Sequence, residues 1–206
     1  MVVVHDVGPQ FLAFRSHVVR NSEVVQPVPR AVEIFAAGAI GPHPVLVQGL
    51  RHDSVQADAR LPQVLARMGA QVDMRDDGIL VSPARLKAIE EDMSDMPDMV
   101  PTLALLAAYA EGRTLITGLG GGLLRHKESD RQTNTVVELN RLGVLAEDLD
   151  DAIAVTGGPI KPATVETYGD HRMAMSLSLA TLHQQGVVIN EPEVCSKSFP
   201  NYFELF

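Results

Sequence analysis

Asp98-Met99-Val100-Pro101-Thr102-Leu103-Ala104-Leu105-Leu106-Ala107-Ala108-Tyr109-Ala110-Glu111-Gly112 followed by Arg113-Thr114-Leu115-Ile116-Thr117 reads as a helix, a glycine stop and a strand. Apolar residues recur at helical spacing over 99–110, and Pro101 suits a first turn. The β-rich run 113–117 follows at once. The same phrase returns downstream. Asp170 opens a helical stretch over 171–183, and Gly186 leads into Val187-Val188-Ile189-Asn190. The offsets are 72 (170 − 98) and 74 (186 − 112).

A second alignment runs through the other half of the unit. Arg60 leads through a helix to Met68-Gly69, Val72 and Gly78-Ile79-Leu80-Val81. Arg131 leads through a helical stretch (127–142) to Leu142-Gly143, Val144 and Ala152-Ile153-Ala154-Val155. Each unit thus reads helix, strand, helix, strand, strand, with a further strand expected in front. Recurrence at this period marks a domain built from copies of one supersecondary unit. The expectation is one α/β domain over 1–206 with approximate repeats 27–97, 98–169 and 170–206, after an N-terminal segment, 1–26. The third copy is cut short, with one more helix expected over 198–206. Strand-like Val2-Val3-Val4, Phe11–Phe14 and His17-Val18-Val19 are expected to close it, since an unpaired sheet edge is a liability.

Composition bounds the function. The 206 residues suffice for a large core, and 46% are apolar against 21% charged. A net charge of −9 argues against a nucleic-acid binder but leaves room for a local cationic site. The single cysteine, Cys195, fits a reducing compartment. No apolar run is long enough to span a membrane, and the first residues lack the pattern of a signal peptide. A cytoplasmic protein without membrane or nucleic-acid partners is expected.

The polar clusters carry the chemistry. They are Asp98, the run Arg125-His126-Lys127-Glu128-Ser129-Asp130-Arg131, Asp170-His171-Arg172, and Ser196-Lys197-Ser198. Lys127 and Arg131, four apart, would share a face of one helix, where the free N–H groups of a first turn favour an anion. Each cluster also has a plain structural reading: Ser129 as a cap, Glu128 and Asp130 complementing the dipole, Asp98 and Asp170 as N-caps. The repeat tips the balance, because equivalent helix starts would converge on one side of the domain. Lys127, Arg131, Arg172 and Lys197 would then form a site for phosphate or carboxylate, with Asp98 and Glu128 as proton-transfer groups. His5, His17, His43, His52 and His183 show no ligand spacing, and no zinc pattern is present. Gly120-Gly121-Gly122 lacks the context of a phosphate loop, Met173 and Met175 fit a core face, and Cys195 reads as a small buried residue.

The motifs Met96-Pro97-Asp98, Lys127-Glu128-Ser129-Asp130-Arg131, Asp170-His171-Arg172-Met173-Ala174-Met175 and Lys197-Ser198-Phe199-Pro200-Asn201-Tyr202-Phe203 occur in the order and spacing of the C-terminal half of the 5-enolpyruvylshikimate-3-phosphate synthases. Over about 45–206 the chain resembles that enolpyruvyl transferase family. The branch acting on UDP-N-acetylglucosamine fits poorly, since it lacks the paired Lys127–Arg131 and Asp170–Met175 motifs. The resemblance implies domains of three βαβαββ units in pseudo-threefold arrangement and addition–elimination transfer of enolpyruvate from phosphoenolpyruvate to the 5-hydroxyl of shikimate 3-phosphate. No metal or organic cofactor is implied. It also implies Asp98 as base at the acceptor hydroxyl, Glu128 as the proton carrier at the methylene carbon, and Lys127 on the acceptor hydroxyls. Arg131, Arg172 and Lys197 would hold phosphoenolpyruvate, with His171 beside them.

The chain departs from the family at several points. Members are about twice as long. Where they read PDxSSA this chain has Gln26-Pro27-Val28-Pro29-Arg30-Ala31, their QGD is Gln56-Ala57-Asp58, and an expected Asn is Leu123. Half a cleft positions substrates poorly, so turnover is expected to need an N-terminal half or a second copy. The alternative is a non-catalytic remnant that binds phosphoenolpyruvate or a similar anion.

Overall fold

The structure, a computed structural model, describes residues 13–14, 32–48, 60–76 and 78–205. Two runs of elements share one order. The first is β1 (Ala13–Phe14), α1 (Val32–Ile40), β2 (Val45–Gln48), α2 (Leu61–Arg67), β3 (Gln71–Arg75) and β4 (Gly78–Ser82). The second is β5 (Glu90–Asp92), α3 (Val100–Ala108), β6 (Arg113–Thr117), α4 (Arg131–Arg141), β7 (Leu145–Asp148) and β8 (Ile153–Thr156). Their four-stranded sheets have the same layout, β1-β2-β4-β3 and β5-β6-β8-β7. In each the outer pair is parallel, β1 with β2 and β5 with β6, and the remaining ladders are antiparallel. A third run starts with β9 (Thr164–Val165), α5 (His171–Ser178), β10 (Val188–Ile189) and α6 (Tyr202–Leu205), with β9 and β10 paired in parallel.

The helix ends follow the sequence signals. Gly69, Gly112 and Gly143 follow α2, α3 and α4 with φ of 98°, 103° and 81°, a backbone region in which glycine alone carries no Cβ penalty. Helix α3 is apolar apart from Thr102, and all nine of its residues are buried, as a central helix requires. It packs on α1, α4 and α5 and on strands β6 and β8. Thr102 of α3 makes a hydrogen bond of 2.8 Å with Ser176 of α5 and donates to Glu33 of α1 at 3.3 Å, a polar junction among three helices of the core. The single cysteine, Cys195, is buried as expected, as are Met173 and Met175.

Four expectations need correction. The helix placed over 127–142 begins at Arg131, so Lys127 and Glu128 lie in the preceding loop. Asp130, not Ser129, caps α4, accepting from Thr133 N at 3.0 Å. The helix placed over 198–206 is shortened to Tyr202–Leu205 after a 3-10 segment, Pro192–Lys197; Pro200 disfavours helical backbone at Phe199 before it. Ala13–Phe14, placed against the third unit, pairs instead with β2 of the first sheet. Val2–Val4, His17–Val19 and the stretches 26–31 and 56–58 lie outside the described residues. No helix among the described residues is long and apolar enough to cross a membrane.

Candidate active site

Asp98 stands just before α3, in a 3-10 turn, and makes no capping bond. Its Oδ1 instead takes Arg131 Nη1 at 2.8 Å and Lys127 Nζ at 3.2 Å. The two cations meet there although only Arg131 is helical. The loop before α4 folds back, its path fixed by the Arg131 N to Leu124 O bond at 3.1 Å. Asp98 is half-exposed, whereas the Arg131 side chain is 4% exposed.

Asp170 does more than the capping expected of it. It caps α5 by accepting from Arg172 N at 2.9 Å. It also receives Arg131 in bidentate fashion, Nε to Oδ2 at 2.7 Å and Nη2 to Oδ1 at 3.1 Å, with Ser129 Oγ donating to Oδ2 at 3.1 Å. Arg131 is thereby stretched between Asp98 and Asp170. The importance of Asp170 as its holder, and of Ser129 as a donor to Asp170, escapes a linear reading, because the partners lie 39 and 41 residues apart.

Glu128 joins the remaining groups. His171 Nδ1 lies 2.9 Å and Lys197 Nζ 2.8 Å from its Oε2. Arg172 is 9% exposed, and among the described residues its buried Nη1 has no hydrogen-bond partner. A buried guanidinium donor left open costs free energy unless a ligand fills it. Arg125, by contrast, belongs to the scaffold: it grips Asp148 at 2.9 and 3.0 Å and donates to Thr133 at 2.7 Å. Gly120–Gly122 forms a short 3-10 turn.

The charges are tuned by this packing. Burial pushes the Asp98 carboxyl up, but Arg172, Arg131 and Lys127 outweigh it and hold the group below the ordinary carboxylate range. Burial likewise raises Glu128, and the bonds from Lys197 and His171 more than reverse it. For Asp170, burial is outweighed chiefly by Arg131, with help from Arg172 N and Ser129. All three are therefore ionised at neutral pH. Glu128, Asp170 and His171 offer ligand atoms within 4.8 Å of one another. Fixed cations already face both carboxylates, Arg131 on Asp170 and Lys197 on Glu128, which opposes a metal ion there.

All seven residues singled out in the sequence (Asp98, Lys127, Glu128, Arg131, His171, Arg172 and Lys197) thus fall into one cluster, around the starts of α3, α4 and α5 and the end of the 3-10 segment Pro192–Lys197. Arg172 is tied to the rest by its backbone N on Asp170 at 2.9 Å, and its charge also acts on Asp98.

Known proteins are similar to this chain in sequence and fold. The family model of EPSP synthase (3-phosphoshikimate 1-carboxyvinyltransferase) matches residues 21–206. A 3-phosphoshikimate 1-carboxyvinyltransferase of Shewanella piezotolerans is 41% identical over 174 residues, 84% of this chain and 40% of that protein. One from Nostoc punctiforme is 41% identical over 173 residues, with the same coverage. Among solved structures, EPSP synthase from Acinetobacter baumannii superimposes with a TM-score of 0.73 at 28% identity, over 85% of this chain and 44% of that one. The enolpyruvyl transferase NikO from Streptomyces tendae gives 0.69 at 28% identity, over 85% and 41%. The chain spans about two-fifths of the length of the relatives it matches. With four motifs, the sheet layout and these likenesses in agreement, the chain belongs to the EPSP synthase (3-phosphoshikimate 1-carboxyvinyltransferase) family.

Proposed function

We propose that this chain supplies the phosphoenolpyruvate-binding and proton-transfer half of an enolpyruvyl transferase acting on shikimate 3-phosphate. The observation that carries the reading is the buried Nη1 of Arg172, which among the described residues has no hydrogen-bond partner, on a side chain whose charge is felt by Asp98. Such a donor within a group of cations suits a phosphate or carboxylate.

In this reading Arg131, Arg172 and Lys197 bind phosphoenolpyruvate, and Lys127 contacts the acceptor hydroxyls. Asp98 removes the proton of the 5-hydroxyl as its oxygen attacks C2, while Glu128 gives a proton to the methylene carbon. Elimination reverses both transfers: the new methyl group returns its proton to Glu128, and the C–O bond to phosphate breaks. The departing phosphate takes the proton from Asp98. Substrate charge also prepares the groups. An anion on Arg131 and Arg172 cancels the positive field that depresses Asp98, making it a stronger base. An anion on Lys197 weakens that cation's hold on Glu128 and lets it take up the proton it must deliver.

The open side of the cluster favours a partner. The side chains of Asp98 and Lys197 are 44% and 49% exposed, whereas enolpyruvyl transfer needs water excluded and both substrates fixed. An N-terminal half or a second copy would cover that side. The same exposure also favours a second reading, a module that binds phosphoenolpyruvate without turnover.

Calorimetric titration of the purified chain with phosphoenolpyruvate tests the shared core of both. Binding is expected, and Arg172→Ala should weaken it about 10- to 100-fold, the range of a lost charge-assisted hydrogen bond. No binding by the wild-type chain would sink the proposal.

A further inference from the structure

Helix α4 meets the third run of elements along one buried polar face. Arg131, Thr135 and Glu138, spaced i, i+4 and i+7, share a side of the helix and are 3%, 2% and 0% exposed. Each reaches across: Arg131 to Asp170, Thr135 Oγ1 to Met173 Sδ at 3.6 Å, and Glu138 to the loop before Asp170. Glu138 Oε2 accepts from Glu166 N at 3.1 Å and lies 3.2 Å from Arg141 Nη1, while its Oε1 accepts from Tyr168 Oη at 2.5 Å. The loop held in this way is unusual. Tyr168 and Gly169 have φ of 56° and 66° in succession, and for Tyr168, which has a Cβ, that region is costly without an external hold.

We infer that Glu138 and Tyr168 are positioning residues. Their hydrogen bond holds the left-handed turn that aims His171 and Arg172 at the anion site. The geometry leaves few other anchors. Asp170 N bonds Thr167 O at 2.9 Å to close the turn, and Arg131 fixes Asp170 itself. Between these points the tyrosine hydroxyl is the side-chain link from the turn to α4. Burial, reinforced by the Glu138 carboxylate, pushes the Tyr168 phenol up to about 12, so it stays a donor at neutral pH.

The inference rests on the phosphoenolpyruvate reading for its binding test, but hydrogen exchange checks it separately. Phosphoenolpyruvate affinity and amide exchange are measured for wild type, Tyr168→Phe, Glu138→Leu and Glu138→Gln. Tyr168→Phe and Glu138→Leu should bind about tenfold more weakly, the effect of losing one hydrogen bond to a charged group. Glu138→Gln should stay within about threefold, because its amide can accept from Glu166 N and donate to the Tyr168 oxygen. Exchange at Glu166 and Arg172 should quicken in the first two variants while α3 keeps its protection. Wild-type affinity in Tyr168→Phe, or equal losses in the Gln and Leu variants, would overturn the inference. If the wild-type chain binds no phosphoenolpyruvate, the proposed function fails and the exchange data decide alone: unchanged protection at Arg172 in Tyr168→Phe overturns the positioning role, and faster exchange there upholds it. Tyr168→Phe removes a single half-buried hydroxyl, so its result stands even if Glu138→Leu does not fold.

Discussion

Asp170 holds Arg131 by two parallel hydrogen bonds of 2.7 and 3.1 Å between side chains that are 0% and 4% exposed. The pair joins the start of α4 to the start of α5 and leaves the third guanidinium nitrogen on Asp98. One buried contact therefore fixes a cation that belongs to the site and the helix start that carries His171 and Arg172.

Removing the carboxylate charge tests that contact. Asp170→Asn leaves a buried guanidinium with Asp98 as its remaining anionic partner, and breaking a buried pair costs about 3–5 kcal/mol. The retained bond to Asp98 argues for the lower end, about 3 kcal/mol. Urea denaturation measures it. A loss near zero would mean that the pair contributes nothing net to folding.

Acid should weaken the fold through the same group. Asp170, Asp98 and Glu128 are all lowered in the folded protein. A carboxylate lowered on folding stabilises fully above its unfolded value, about 4, and that contribution is lost as pH falls through the still lower folded value. Stability in urea should therefore drop below about pH 4, and the drop should be shallower in Asp170→Asn. Parallel pH profiles for the two proteins would show that Asp170 takes no part.

The central helix is sensitive to volume. Leu103 of α3 is fully buried, and Leu103→Ala should cost about 2–5 kcal/mol through lost burial and the cavity left behind. Thermal or urea unfolding provides the measurement. A loss below about 1 kcal/mol would contradict the place of α3 at the centre of the core.

Much of this architecture was legible in the sequence. An apolar run, a terminal glycine and a β-rich run define α3 with β6, and Asp170 and Gly186 bracket the segment from α5 to β10. The start of α4 was not legible. The polar run Arg125–Asp130 offers more than one candidate cap, and it is Asp130 that serves, with Lys127 held outside the helix on Asp98, 29 residues earlier (127 − 98), and Leu124 O holding the loop. The short strand Glu90–Asp92 is equally silent, since its acidic residues give no strand pattern and only pairing with β6 defines it. For the site, the repeat brought out six charged residues and the family resemblance added His171, but neither brought out their partners. Asp170 resembles an ordinary cap, and Glu138 an ordinary helix-surface glutamate. One signal was available: polar residues at 131, 135 and 138 share a helix face, and such a face buried against another unit must find partners.

The most direct measurement is phosphate release when the chain is mixed with the N-terminal half of a 41%-identical relative and given phosphoenolpyruvate with shikimate 3-phosphate. The expected result is release that requires both substrates and both halves, and that disappears in Asp98→Asn although this variant still binds phosphoenolpyruvate. Release that persists in Asp98→Asn would contradict the assignment of Asp98 as the base, and no release from any mixture would leave the chain a binding module only.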